Sequence, residues 1–169
     1  MNEEKLNEIF DIFKSMAKAK HCNKQYLVRA FGSIFGAYTD NGWRVIGITE
    51  DALEAFALVN FERVPGKKDP VAVERAHINK RADWVDELFR TEWNSAKEWW
   101  DFIYENDKTV LATTRENYES DNMDMPLKIA YEIPDNGKYF TSQYIGCKYR
   151  KKVEKVLLET FYSARSSAG

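Results

Sequence analysis

The fold is decided by two stretches of sequence, Val71-Ala-Val-Glu-Arg-Ala-His77-Ile-Asn79 and Thr109-Val-Leu-Ala-Thr-Thr-Arg-Glu-Asn117-Tyr-Glu-Ser-Asp121. Each begins with a run rich in β-branched residues, so we predict strands over 71–78 and 109–114. The second stretch then becomes polar, which indicates the start of a helix at about residue 116. His77, one of only two histidines in the chain, ends the first strand. The predicted order is therefore strand, strand, helix, with an imidazole at the end of the first strand.

The rest of the chain is mostly helical. Apolar residues recur at helical spacing over 2–20, 24–37, 49–60, 81–91, 95–105 and 147–163, and Asn2, Asn23 and Ser95 are predicted N-caps. A further strand is predicted over 43–48. A β-hairpin is predicted from Leu127–Ile133 and Lys138–Ser142, on either side of the turn Pro134–Gly137. The expected class is α+β: a helical N-terminal part, the strand–strand–helix unit with a helical insertion, a β-hairpin and a C-terminal helix.

The clearest break in the sequence is the loop Pro65–Pro70, which is too short to be a flexible linker. We therefore expect a single domain over 1–169 with three parts. These are a helical N-terminal part (1–64), the candidate functional core (65–125), and the hairpin with a basic final helix (126–169).

Composition excludes several classes of protein. The net charge of −2 does not make the chain a polycation, so nucleic-acid binding would depend on local basic patches. No apolar run is long enough for a membrane helix, and the segment Met1–Lys5 does not resemble a signal peptide. Cys22 and Cys147 fit no metal-ligand spacing and are most simply free thiols of a cytoplasmic protein.

The two stretches resemble the HNH (ββα-metal) nuclease family, and within it the colicin-type DNases, over about residues 71–122. Glu74-Arg-Ala-His77-Ile resembles the first histidine segment of that family, and Asn106–Asp121 resembles its second half. The resemblance implies a metal-dependent endonuclease that hydrolyses DNA phosphodiester bonds, such as a sequence-specific restriction-type or phage enzyme.

The resemblance also implies roles for individual residues. His77 would be the general base, Asn106 or Asp107 would occupy the middle, structural position of the catalytic set, and Asn117 and Asp121 would hold the metal ion one helical turn apart. Oxygen donors favour Mg²⁺ or Mn²⁺ over Zn²⁺. A cutter of duplex DNA at this size is expected to act as a homodimer.

Basic residues near this unit and on the last helix could bind phosphates. The candidates for nucleic-acid contacts are Arg75, Lys80, Arg81, Arg115, Lys148, Arg150, Lys151 and Lys152. Charged faces are usually only solvated, and those nearest to His77 are the more informative, because a polyanion needs positive charge beside the chemistry.

Three departures from the family pattern keep other interpretations open. Ala76 precedes the histidine where the family often has an acidic residue or a second histidine. The gap before the second strand is long, and the metal-ligand candidates are oxygen donors where colicin-type enzymes have histidines. The alternative function is a non-catalytic nucleic-acid-binding or protein-interaction module, such as a regulator or inhibitor.

Each candidate residue also has a purely structural interpretation. His77 could be a strand-end residue, Asn117 a helix cap and Asp121 a solvated carboxylate. Asn106 and Asp107 could be a turn before the strand. The tryptophans at 93, 99 and 100 are expected in the core.

Overall fold

The computed structural model of this chain describes residues 2–19, 21–38, 42–123, 125–133, 140–141 and 151–166. It confirms the α+β class, with a helical N-terminal part and a C-terminal helix. In chain order the elements are α1 (Glu3–Ala17), α2 (Lys24–Tyr38), β1 (Gly42–Ile48), α3 (Glu50–Leu58), β2 (Val73–His77), α4 (Arg81–Arg90), α5 (Ala96–Asn106), β3 (Lys108–Thr113), α6 (Thr114–Met123), β4 (Tyr131–Glu132), β5 (Phe140–Thr141), a π-helix (Lys151–Lys155) and α7 (Val156–Ser166). None of the helices in these ranges is both long and apolar enough to cross a membrane.

Side-chain caps fix the beginnings of several helices. The Asn2 side chain accepts a hydrogen bond from the Lys5 N–H, Thr49 accepts one from Ala52, and Ser95 accepts one from Glu98. Each cap satisfies a backbone donor that the first turn of the helix would otherwise leave unpaired. The predicted caps at Asn2 and Ser95 are therefore confirmed.

The chain folds into two compact units, and each is built from two separate pieces of sequence. The helical unit comprises Met1–Gly42 and Asn79–Asp107, and the sheet unit comprises Trp43–Ile78 and Lys108–Gly169. These boundaries fall at different places from the divisions after residues 64 and 125 that the sequence suggested. The loop Pro65–Pro70 lies inside the sheet unit, where Asp69 pairs with Arg63 and accepts a hydrogen bond from the Gly66 N–H at 2.7 Å.

Aromatic packing holds the helical unit together. Trp99 is fully buried, and its ring centroid lies 5.3 Å from that of Phe13 and 5.5 Å from that of Phe10. Phe31 adds an edge-on contact to Phe13 at 5.7 Å. Trp93 and Trp100 pack partly buried against the same cluster. The prediction that the tryptophans form core is confirmed.

The sheet unit is built on a mixed sheet in which the strands lie in the order β2-β3-β1-β4, and β5 also pairs with β1. β1 runs parallel to β3, while β2 runs antiparallel to β3. Val45, Ile48, Val73 and Leu111 from these strands share one core with residues of α3 and α7. That core fixes the position of α3, the helix that follows the parallel strand β1.

The C-terminal part differs from its prediction in two respects. β4 and β5 are each two residues long, and both pair with β1, so in the described residues they do not form the predicted hairpin with each other. Gly47 and Ile48, on the edge of β1 away from β3, supply the backbone partners of β4, which is the physical reason for the difference. The predicted turn Pro134–Gly137 lies outside the described residues. The last helix begins as a π-helix at Lys151 and extends to Ser166, three residues beyond its predicted end.

Candidate functional site

The strand–strand–helix order predicted from the sequence is present in the sheet unit. β2 and β3 form an antiparallel ladder from Val73 opposite Thr113 to His77 opposite Thr109. α6 starts at Thr114, directly after β3. Because β2 and β3 run in opposite directions, α6 begins beside Val73, at the end of the ladder away from His77.

A capping box starts α6. The Glu116 N–H donates to the Thr113 hydroxyl at 3.1 Å, and the Thr113 N–H donates to Glu116 Oε2 at 2.8 Å. This reciprocal pair is the signature of the pattern Thr-x-x-Glu, which the sequence displays at 113–116. Asn117 lies within the helix, so its interpretation as the helix cap is wrong.

Glu116 also joins α6 to α3. The same Oε2 atom accepts hydrogen bonds from the hydroxyls of Thr113, at 2.9 Å, and of Thr49, at 2.8 Å. Thr49 is buried and is itself the N-cap of α3. One carboxylate oxygen thus connects the two helices that follow the parallel strands β1 and β3.

Asn117 contacts β2. Its Nδ2 donates to Glu74 Oε1 at 2.8 Å, and both residues are partly buried. The contact places α6 over the face of β2 that carries the Glu74 side chain. No feature of the sequence alone marks this pair, because its members are far apart along the chain.

His77 lies on the other face of β2. Glu74 and His77 are three positions apart, and successive side chains of a strand point to opposite faces. Three residues also separate the two positions by about 10 Å along the strand. The His77 ring is partly buried, and its Nδ1 is shielded from solvent. The structure therefore does not bring the imidazole of His77 together with Asn117.

Asp121 lies one turn after Asn117 on α6 and is exposed, as its solvated interpretation expects. In the part of the chain that the structure describes, no three His, Cys, Asp or Glu side chains come together in a group suited to a metal ion. The predicted ligands Asn117 and Asp121 share a helix, but Glu74, and not His77, is the strand residue beside Asn117.

Asn106 and Asp107 belong to the helical unit. Asn106 is the last residue of α5; its Nδ2 donates to the Phe102 carbonyl at 2.8 Å, and its Oδ1 accepts from Asn79 Nδ2 at 3.3 Å. Asp107 is buried, and its N–H donates to the Ile103 carbonyl at 2.8 Å. These contacts terminate α5 and tie its last residue to Asn79, which is a structural role.

The basic candidates are dispersed over the chain. Arg75 lies in β2 on the face of His77 and is partly buried, whereas Lys80 is exposed just before α4, which begins at Arg81. Lys151 and Lys152 begin the π-helix, and Lys148 and Arg150 lie outside the described residues. Arg115 is exposed on α6.

Arg115 is already engaged by a carboxylate of its own helix. Its Nε lies 2.7 Å from Glu119 Oε1. The hydrogen bond that Arg115 donates to Glu119 raises the pKa of the guanidinium, and the charge of Asp51 adds a smaller effect in the same direction. Arg115 is therefore a weaker candidate for gripping phosphate than the sequence suggested.

Comparison with known proteins gives no match for this chain. No protein-family model, no curated protein and no solved structure matches the chain.

Proposed function

We propose that this protein is a non-catalytic binding module that recognises another protein. The observation that carries the proposal is the hydrogen bond between Asn117 and Glu74. It holds α6 over the face of β2 opposite to His77, which argues against a base and oxygen ligands acting on the same phosphate. The strand–strand–helix unit then serves as a rigid support for the surfaces that bind the partner protein.

The surface of α6 favours a protein over a nucleic acid. Beyond its capping box the helix carries Glu119 and Asp121, and its one cation, Arg115, is paired with Glu119. Tyr118 and Met123 are each 58% exposed. Carboxylates repel a phosphate backbone, whereas exposed aromatic and methionine side chains are enriched at protein interfaces.

The proposal is tested with purified protein and two DNA substrates. Supercoiled plasmid is incubated with the protein and Mg²⁺, Mn²⁺ or a chelator, and the protein is passed over immobilised duplex DNA at low salt. We expect intact plasmid in all three incubations and no retention on the column. Metal-dependent nicking, or retention that falls steeply as salt rises, would refute it.

DNA cleavage is the second candidate, because β2, β3 and α6 follow one another in the order that the nuclease resemblance requires. In that case His77 would activate water, Asn117 and Asp121 would hold Mg²⁺ or Mn²⁺, and the enzyme would act on DNA as a homodimer. His77→Ala would then abolish nicking while leaving the circular dichroism spectrum unchanged. Equal nicking by the variant would remove this candidate.

We also infer a cytoplasmic setting. Cys22 is a free, exposed thiol, and such thiols persist in compartments kept reducing by the cell.

A further inference from the structure

A groove in the sheet unit lies between α3 and the start of α6. Its volume is about 530 Å³. One wall is a stripe of α3 at helical spacing, formed by Asp51, Ala55 and Leu58. The other wall includes the segment Pro70–Ala72. Every lining residue belongs to the sheet unit.

The groove is apolar at one end and charged at the other. At the apolar end Leu58, the last residue of α3, is 63% exposed and buries further apolar surface if a ligand covers it. Val71, which is 37% exposed, lies on the opposite wall next to Ala72, whose carbonyl accepts a hydrogen bond from the Thr114 N–H at 3.0 Å. At the other end lies Asp51, in the first turn of α3 and near enough to Arg115 for its charge to act on that guanidinium. The seven residue-to-residue steps from Asp51 to Leu58 span about 10 Å of helix.

The charged end favours a cation. Arg115 is neutralised by Glu119, and Glu54, which also lines the groove, pairs with Arg165 of α7. Asp51, by contrast, makes no hydrogen bond or ion pair within the described part of the chain, and its charge is the smallest of the influences on the pKa of Arg115. The carboxylate of Asp51 is therefore the charge in this groove that a ligand can neutralise.

We propose that this groove binds an extended segment of a partner protein that carries a lysine or arginine three positions from a large apolar residue. The basic side chain pairs with Asp51, and the apolar one covers Leu58. In a polyproline II segment, positions three apart lie on the same side, about 9 Å from each other, which matches the spacing of the two ends. The proposal rests on the protein-binding function above and names its site.

The test is a selection of displayed random dodecapeptides on the full-length protein. We expect the enriched peptides to share a basic and a large apolar residue three positions apart. Selected peptides should bind Asp51→Asn about fivefold more weakly, as for the loss of one partly exposed ion pair. They should bind Leu58→Ser about tenfold more weakly, because its apolar contact is lost.

Matched controls carry the same substitutions elsewhere. Asp83→Asn changes an acidic residue in the first turn of α4, and Tyr26→Ser removes an exposed side chain of α2. Neither should change peptide affinity by as much as twofold. All four variants should fold, because all four replaced side chains are exposed, and circular dichroism checks this.

Several results would overturn the proposal. These are failure to enrich any peptide, enrichment of acidic peptides, and binding that both groove variants retain. The last outcome would leave a protein-binding module whose site lies elsewhere. Metal-dependent cleavage of plasmid would instead refute the proposed function itself, so the two failures are distinguishable.

Discussion

Glu116 is the residue whose replacement tests the architecture of the sheet unit most directly. Its Oε2 accepts three hydrogen bonds, from the Thr113 N–H, the Thr113 hydroxyl and the Thr49 hydroxyl, at 2.8 to 2.9 Å. Glu116→Ala removes the acceptor of all three at once. It leaves a backbone donor and two hydroxyls with one partner fewer.

The expected loss of stability follows from the number and kind of these bonds. A hydrogen bond to a charged group contributes about 1.5–3 kcal/mol and a helix cap about 1 kcal/mol. Water can replace part of the lost contacts, because Glu116 is only partly buried. We therefore expect Glu116→Ala to lower the free energy of unfolding by about 2–3 kcal/mol.

Glu116→Gln is the informative companion. All three bonds end on a single oxygen, and the glutamine amide keeps one oxygen acceptor in the same place while losing the charge. It should cost about 1 kcal/mol, the difference between charged and neutral acceptors. Glu119→Ala, which breaks only the exposed pair with Arg115, should cost less than about 1 kcal/mol.

The assay is urea unfolding followed by far-ultraviolet circular dichroism, with hydrogen exchange measured on peptides that cover α3 and α6. Faster exchange in both helices is expected for Glu116→Ala, because the carboxylate joins their N-termini. If Glu116→Ala and Glu119→Ala were equally stable, or only α6 exchanged faster, the inferred link between the helices would be wrong.

Three further predictions concern single contacts. The Arg63 guanidinium, followed by the Gly66 N–H, lowers the Asp69 pKa to about 2. The stability that this carboxylate contributes should therefore be complete above its ordinary pKa near 4 and be lost as the pH falls through 2. An NMR titration of the carboxyl carbon measures the pKa, and a value near 4 in the folded protein would contradict the prediction. Trp99→Ala should destabilise the protein by about 3–5 kcal/mol, as measured by urea unfolding, since the ring is fully buried, and a loss below 1 kcal/mol would show that the ring is not core. Asn117→Asp should set a second carboxylate against Glu74, so this variant should be less stable at pH 7 than at pH 4 by about 1 kcal/mol relative to the parent; equal stability at both pH values would argue against the contact.

Local features of the fold were readable from the sequence. The caps at Asn2 and Ser95 were predicted because a capping side chain acts on its own next turn. The strands containing His77 and Val110 were predicted because β-branched residues cluster there. The capping box at Thr113 could have been found by the same local rule, since the pattern Thr-x-x-Glu stands in the sequence.

The arrangement of the candidate site was not readable in the same way. The alternation of side chains along a strand places Glu74 and His77 on opposite faces of the sheet, but it does not determine which face the later helix covers. That choice depends on the Asn117 contact with Glu74, a pairing between distant residues. The division into two units likewise depends on long-range packing, which the periodicity of apolar residues within a short window does not reveal.

The interleaving of the two units constrains how the chain can be divided and how it folds. The Ile78 N–H donates to the Lys108 carbonyl at 3.1 Å, so the ends of the inserted segment Asn79–Asp107 lie side by side. Replacing that insertion by a two-residue turn would shorten the loop that β2 and β3 must close and reduce its entropic cost by about 2 kcal/mol. The sheet unit alone would then be encoded by removing Met1–Gly42 as well, whereas the helical unit needs a new covalent connection between its two pieces.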